Sequence, residues 1–402
     1  SRLPEVQVRD LSDTSTEASG QYIAHELAVG KTGRSPRETP QSVSVVTRQQ
    51  LDDRNLTKVE DAIKQVTGMT VTRYDGAGNY NVFSARGFDI GALQLDGVAI
   101  PQGNYSTLDT ALYDRIEVLR GPAGLLQGAS EPGGTINLVR KRARRQLGIS
   151  ADTAVGNMGL RRGMVDVTGG LNAEGTVRAR VVAVAEDRDS HVDTLFNNKR
   201  LGYGTLEWDL DPRTTLSVGA ARQRVKSVID QGLPSYANGQ LADLPVSTFT
   251  GLAANRQDLE NTDVFAELEH RLDQGGRLLL SVRDVDRQAF YAAARANGAL
   301  AANGDYAMES VDGLTRVTTR SYDLSLDTPF TLAGRQHRLL AGLARNEGKS
   351  YDNNFAYGPS WTANIGAPQH ERPYPSLTLP GYSAITTRTE NALYGQAQLQ
   401  LA

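Results

Sequence analysis

The sequence predicts a mainly β protein: an N-terminal α+β domain over residues 21–142, then an antiparallel transmembrane β-barrel over 143–402. Three observations predict it. Helical periodicity and capping signals are confined to the first third of the chain. After residue 145, segments of about ten residues alternate apolar and polar side chains, the signature of a membrane-spanning strand. Along that stretch short turns mostly alternate with long polar loops.

In the first third, "QSVSVVT" (41–47) alternates as a strand, and Thr47 and Gln50 in "TRQQLDDRN" are spaced as a capping box. "TKVEDAIKQVTG" repeats the device: Thr57 and Glu60 cap, Val59, Ala62, Ile63 and Val66 form a helical stripe, and Gly68 ends it. Short strands follow in "GMTV", "NVFSARGF", "ALQLDGVAI" and "RIEVLRG", separated by Gly, Asn and Asp turns. The stretch "RIEVLRGPAGLLQGASEPGGTINLVRKR" (115–142) places a glycine-rich loop between two strands. It is no phosphate cradle, since it contains neither GxxxxGK[ST] nor GxGxxG before an apolar helix. Its glycines permit tight reversals and positive φ. "VRKRARR" (139–145) reads as a basic linker into the barrel.

In the remainder, "TVRARVVAVAED" sets Val177, Ala179, Val181, Ala183 and Ala185 against Thr176, Arg178, Arg180 and Glu186, with Val182 and Val184 as exceptions. "GTLEWDLD", "DVFAELEH" and "LYGQAQLQLA" alternate in the same way. About ten strands are predicted, near 148–157, 160–171, 175–188, 199–211, 213–226, 258–272, 276–289, 314–327, 335–348 and 386–402. The long loops fall at about 188–199, 226–258, 290–314 and 348–386. A soluble β-sandwich also alternates, but long loops at only one end are uncommon in compact soluble domains. A preceding domain of this size suits a wider barrel that it plugs, and plugged barrels have about 22 strands. The chain is therefore expected to carry the first part of such a barrel.

Composition excludes several functions. Only 39% of the chain is hydrophobic, and a net charge of −3 gives no reason to expect nucleic acid. There is no Cys, so disulfides and thiolate chemistry are excluded. No run approaches 18 apolar residues, so no transmembrane helix is predicted. Ser1 opens no signal peptide, so an exported protein would be present as a mature or trimmed chain. The five histidines are scattered without ligand spacing, and neither GxSxG nor another catalytic constellation occurs. The chain is not expected to be an enzyme.

"TPQSVSVVTRQQL", "FSARGFD", "LQLDGVAI", "YDRIEVLRGPAGLLQGASEPGGTINLVRKR" and "ALYGQAQLQLA" together resemble TonB-dependent outer-membrane transporters, most of all ferric-siderophore receptors of the ferrichrome, pyoverdine and alcaligin type. The resemblance is dense over residues 1–142 and loose beyond. It implies a TonB box and linker at 1–20, a plug at 21–142 and the barrel from 143. In "LPEVQV", Leu3, Pro4, Glu5, Val6, Gln7 and Val8 would then pair with TonB by strand addition. By motif match the ligand-facing residues are Arg86, Gln102, Tyr105 and Gln127, with Tyr357 and Trp361 in a long loop at the mouth. Arginine would give charge-assisted hydrogen bonds to hydroxamate or catecholate oxygens, and tyrosine would stack on apolar spacers. Gln127 stands where ferrichrome-type receptors carry an aromatic. Arg115, Glu117 and Arg120 would lie in the plug–barrel contact, with carboxylates on the lumen wall as their mates.

The resemblance implies a Gram-negative outer-membrane receptor, monomeric and lipid-embedded. It would bind a ferric siderophore and import it with energy delivered through TonB. The chelate already wraps its iron, so no cofactor is expected. Import of haem, cobalamin or another scarce nutrient is the alternative, with His370 as a candidate axial ligand for haem.

Overall fold

The computed structural model describes residues 15–400 apart from 32, 40, 102–107, 122–131, 274, 376 and 383. Two sheet systems account for most of it, one inside the other.

The inner domain is built on a five-stranded mixed sheet in the order β1-β7-β8-β5-β6. Its strands are β1 (Ser42–Thr47), β5 (Ala92–Leu95), β6 (Val98–Pro101), β7 (Tyr113–Arg120) and β8 (Gly134–Arg140). A separate three-stranded sheet comprises β2 (Met69–Arg73), β3 (Asn81–Ala85) and β4 (Phe88–Asp89). Helix α1 (Arg48–Asp53) begins at Thr47, and both hydrogen bonds of its capping box with Gln50 are made. Helix α2 (Val59–Lys64) departs from expectation: its N-cap is Lys58, with no side-chain cap. Thr57 lies outside the helix, so Glu60 falls in the first turn and turns inward, where it is buried. Ala62 and Ile63 join Ile116, Val118, Ile136 and Leu138 in one apolar core.

The outer system is an eleven-stranded antiparallel sheet. Nine consecutive strands run as β9 (Gly148–Val155), β10 (Arg161–Gly170), β11 (Val177–Asp189), β12 (Phe196–Asp211), β13 (Thr214–Ser227), β14 (Arg256–Arg271), β15 (Arg277–Ala296), β16 (Asp305–Leu332) and β17 (Arg335–Tyr357). β18 (Trp361–Asn364) pairs with β16, and β19 (Ala384–Gln398) pairs with β17. The expected ten strands are all present. The hairpin of β15 and β16 climbs higher than expected, so the predicted loop at 290–314 shrinks to 297–304. The ladder simply continues beyond the alternating stretch, with Ala292 opposite Asp312 and Ala294 opposite Ser310.

The wall is inverted relative to a water-soluble sheet. Val165, Val181, Leu206, Trp208, Val218, Val264, Leu280, Leu324 and Leu343 are exposed on its outer face. Arg180, Glu186, Lys199, Glu207, Glu267 and Arg283 are buried on its inner face. Apolar outside and polar inside is the pattern of a lipid-embedded barrel, and it removes the sandwich reading. Towards the long-loop end the apolar band gives way to exposed acid–base pairs, among them Arg222–Glu260 at 2.7 Å and Arg320–Asp284 at 2.8 Å. Among the described residues no helix is long and apolar enough to cross a membrane. The two valines that break the alternation have a structural cause: Val182 and Val184 join Leu201, Tyr203, Phe265 and Val285 in the core of the inner domain.

Candidate functional site

β7 begins beside the N-terminal segment 15–17, which reaches Arg180 near the short-turn end of β11. Its other end, Arg120–Gly121, therefore points towards the long loops. There stands Arg86, exposed, at the tip of the β3–β4 hairpin. Both turn residues, Arg86 (φ 55°) and Gly87 (φ 83°), have positive φ, as a two-residue hairpin turn of the I′ class requires. Arginine is an uncommon choice at such a position, where Asn, Asp or Gly carry less strain. The Arg86 guanidinium lies against Gly121, where an added Cβ would meet its Nη1 at 3.0 Å.

Of the other expected ligand residues, Gln102, Tyr105 and Gln127 lie outside the described residues, as do Leu3, Pro4, Glu5, Val6, Gln7 and Val8. Tyr357 ends β17 and is exposed. Trp361 is half-buried in the long-loop cluster, with the Arg372 guanidinium 4.8 Å from its ring centroid. His370 is engaged in packing. Its ring stacks on Phe249 (centroids 5.5 Å apart), and Nδ1 lies 2.9 Å from the Gly251 carbonyl oxygen. These contacts join the 228–255 loop to the 358–383 loop, and Ala253 N donates to the His370 carbonyl at 3.0 Å. Among the described residues no group of His, Asp and Glu is placed to hold a metal.

Arg115, Glu117 and Arg120 have partners inside the inner domain. Arg115 donates to Asp114 and Glu117, Glu117 accepts from Ala28 N and Val29 N, and Arg120 donates to Ser42 and the Thr67 carbonyl. The reason is topological. β7 is flanked by β1 and β8 in its sheet, so Arg115 pairs along β7, Arg120 reaches β1 and Thr67, and Glu117 meets the N-terminal segment laid across the strand.

Other residues carry the contact with the wall. Asp109 accepts from both Arg162 amino groups (2.8 and 2.9 Å) and lies 2.7 Å from Lys199 Nζ. Burial alone would raise the Asp109 pKa; the Lys199 ammonium and Arg162 overcome it and hold the carboxyl far below the usual range. Asp96 pairs with Arg140 and with Arg283. Arg140 and Arg142 both reach Glu267, at 2.7 and 2.9 Å, and Lys141 reaches Asp166 at 2.9 Å. At the long-loop rim the 74–80 loop docks through Asn79, which donates to Ser227 and Gln257 and accepts from Asn197. The basic linker is thus an anchoring strip: three consecutive cations of 139–145 meet carboxylates of the lumen wall. Sequence signalled the wall partners, since Arg180, Glu186, Glu207 and Glu267 all fall on the polar phase of their strands. It concealed Asp96, which reads as half of an Asp-Gly turn and has the positive φ of one.

Several known proteins resemble this chain over both the inner domain and the wall. Residues 35–135 match the TonB-dependent Receptor Plug Domain family. The chain is 35% identical to the ferripyoverdine receptor of Pseudomonas aeruginosa over 384 residues, 90% of this chain and 47% of that protein. It is 34% identical to the ferric-pyoverdine M114 receptor PbuA of a Pseudomonas species, over 90% of this chain and 45% of that one. The crystal structure of the P. aeruginosa ferripyoverdine receptor bound to ferripyoverdine superposes with a TM-score of 0.87 at 30% identity, covering 97% of this chain and 54% of that chain. The chain therefore spans about half the length of these relatives. Residues 35–135 thus carry the plug domain of TonB-dependent receptors, and plug and wall together are similar to these outer-membrane receptors over nearly the whole chain.

Proposed function

We propose that the protein to which this chain belongs is a Gram-negative outer-membrane receptor that imports a ferric siderophore with energy delivered through TonB. The observation that carries the reading is the plug held against the lumen wall, with Arg86 presented from a strained turn towards the long loops. A passive pore has no use for a filled lumen. A ligand that must be captured before passage needs an exposed recognition surface above the obstruction, which is where Arg86 stands. Its guanidinium suits the oxygen-rich surface of a ferric chelate. Gln102, Tyr105 and Gln127 are proposed to share that surface, with Tyr357 and Trp361 at the mouth. The named relatives are receptors for ferric pyoverdines, so a pyoverdine-type chelate is the first ligand to test. Residues Leu3–Val8 are proposed as the TonB-contacting segment. The reading requires no cofactor and no enzymatic step, because the iron arrives already chelated. Haem import is less favoured, because His370 is committed to Phe249 and Gly251.

The test is radioiron uptake by cells whose only iron receptor is the full-length protein. It would run over hydroxamate, catecholate and pyoverdine-type chelates, with haem and cobalamin as controls, with and without TonB. TonB-dependent uptake of one chelate, weakened by Arg86→Ala, is the expected result. TonB-dependent import of haem or cobalamin alone would overturn the siderophore assignment, and uptake indifferent to TonB would overturn the transport mechanism.

A further inference from the structure

Between the N-terminal residues and the plug sheet, the segment from Ser15 to Val29 is held at two places by one strand. Asp114 accepts from Thr16 N (2.8 Å), Glu17 N (3.0 Å) and Ser15 Oγ (2.7 Å). Glu117 accepts from Ala28 N (2.9 Å) and Val29 N (2.7 Å). Arg115 lies between and donates to both carboxylates, at 2.8 Å each. All three side chains are buried. Arg115 is thus the cation shared by the two buried carboxylates, and the amide hydrogens satisfy their remaining oxygen lone pairs. The Glu17 side chain leaves this arrangement and meets Arg180 of the wall, Nη1 at 2.7 Å and Nη2 at 2.6 Å. Arg180 is fixed in turn by Asp166, which also holds Lys141.

We infer that Asp114, Arg115 and Glu117 form a clasp on the N-terminal segment, and that the Glu17–Arg180 pair fastens this clasp to the barrel wall. A pull on the N-terminus is then borne by the wall at Glu17 before it reaches the plug sheet. The mechanical part rests on the TonB-driven reading above; the clasp itself does not. Release has an order. The Glu17–Arg180 pair and the Thr16 and Glu17 amides yield first, the Ala28 and Val29 amides second, and the paired strands β1, β7 and β8 last.

Two measurements on the full-length receptor in detergent test this, neither of which reads transport. Amide exchange should be slow at Thr16, Glu17, Ala28 and Val29. Asp114→Asn should accelerate Thr16 and Glu17 roughly 10- to 100-fold, the factor equivalent to one charge-assisted hydrogen bond, and leave Ala28 and Val29 within about threefold. Glu117→Gln should do the reverse. Free-chain exchange at Thr16 and Glu17 in the unaltered protein, or equal acceleration at all four sites in both variants, would overturn the clasp. Glu17→Gln leaves the amide hydrogen bonds in place and serves if the Asp114 variant fails to fold. In single-molecule extension from the N-terminus it should lower the first rupture force and leave later ruptures unchanged. An unchanged first rupture would remove the wall from the load path.

Discussion

Asp109→Asn separates charge from every other role of that side chain. Asp109 is fully buried, at 0% exposure. It also caps the 3₁₀ turn Thr110–Leu112 through a 2.9 Å bond from Ala111 N, which asparagine can still accept. The local set is neutral in the native protein: Arg162 and Lys199 against Asp109 and Glu186. After the change, two cations face Glu186 alone in a site where Lys199 is 1% exposed. Breaking one member of a buried pair costs about 3–5 kcal/mol, because it strands an uncompensated charge. At about 1.4 kcal/mol per tenfold, plug opening should become more frequent by on the order of 100-fold or more. The assay is amide exchange in the full-length receptor, comparing β1, β7 and β8 with β13 and β14 of the wall. Adding Lys199→Gln should recover part of the loss by restoring charge balance. The Asp109 pKa is depressed in the folded protein, so its contribution is complete above the unfolded value of about 3.9 and is lost only as pH falls through the folded value. The gap between variant and parent should accordingly be the same at pH 5 and pH 8. Less than about threefold acceleration, or a Lys199 change that deepens the loss, would refute the reasoning.

Three further outcomes follow from single positions. At Gly134 (φ 127°) an added Cβ would overlap the Leu119 carbonyl oxygen in the adjacent strand. Gly134→Ala should therefore cost roughly 3 kcal/mol or more of plug stability, read by denaturant midpoint or by lost plug protection. Glu60 is buried with Oε1 lacking a hydrogen-bond partner, and burial raises its pKa despite Lys58 nearby. A raised carboxyl favours the folded state below its unfolded pKa and loses that benefit as pH rises through the folded value. Glu60→Gln should then stabilise the plug at pH 8 by about 1 kcal/mol and by less at pH 4, with a uniform effect counting against the burial argument. Arg86→Gly relieves the positive φ and removes the guanidinium together. It should leave plug stability equal or up to about 1 kcal/mol higher while weakening chelate binding, and a loss of stability would mean that Arg86 is a packing residue.

The barrel strands were legible because successive side chains of a strand face lipid and lumen in turn, which imposes a period of two on the sequence. Even the irregularities carried information, since Val182 and Val184 depart from the pattern where the wall meets the plug core. The long β15–β16 hairpin was not legible beyond the lipid. There Ala292, Ala293 and Ala294 are buried in succession among loop residues, so neither face is uniformly apolar. The charged anchors were hidden for a deeper reason. The polar phase of a barrel strand faces inward whether it meets water or protein, so Lys199, 1% exposed, and a lumen-lining lysine in an open pore look alike in sequence. Only the plug decides which of them are desolvated, and the plug's own half of each pair is disguised as ordinary local chemistry. Asp96 is a turn residue, Asp109 a capping residue and Arg140–Arg142 a linker. Each performs that local task, as the Asp96 turn and the Asp109 cap show. Each also supplies a charge that must be matched across the interface, at Arg283, at Lys199 and at Glu267. A buried network of this kind contributes little net stability while intact and costs heavily when one member is lost. In the observed orientation Asp96, Asp109, Arg140, Lys141 and Arg142 of the plug each meet an opposite charge on the wall, and that orientation points Arg86 towards the long loops.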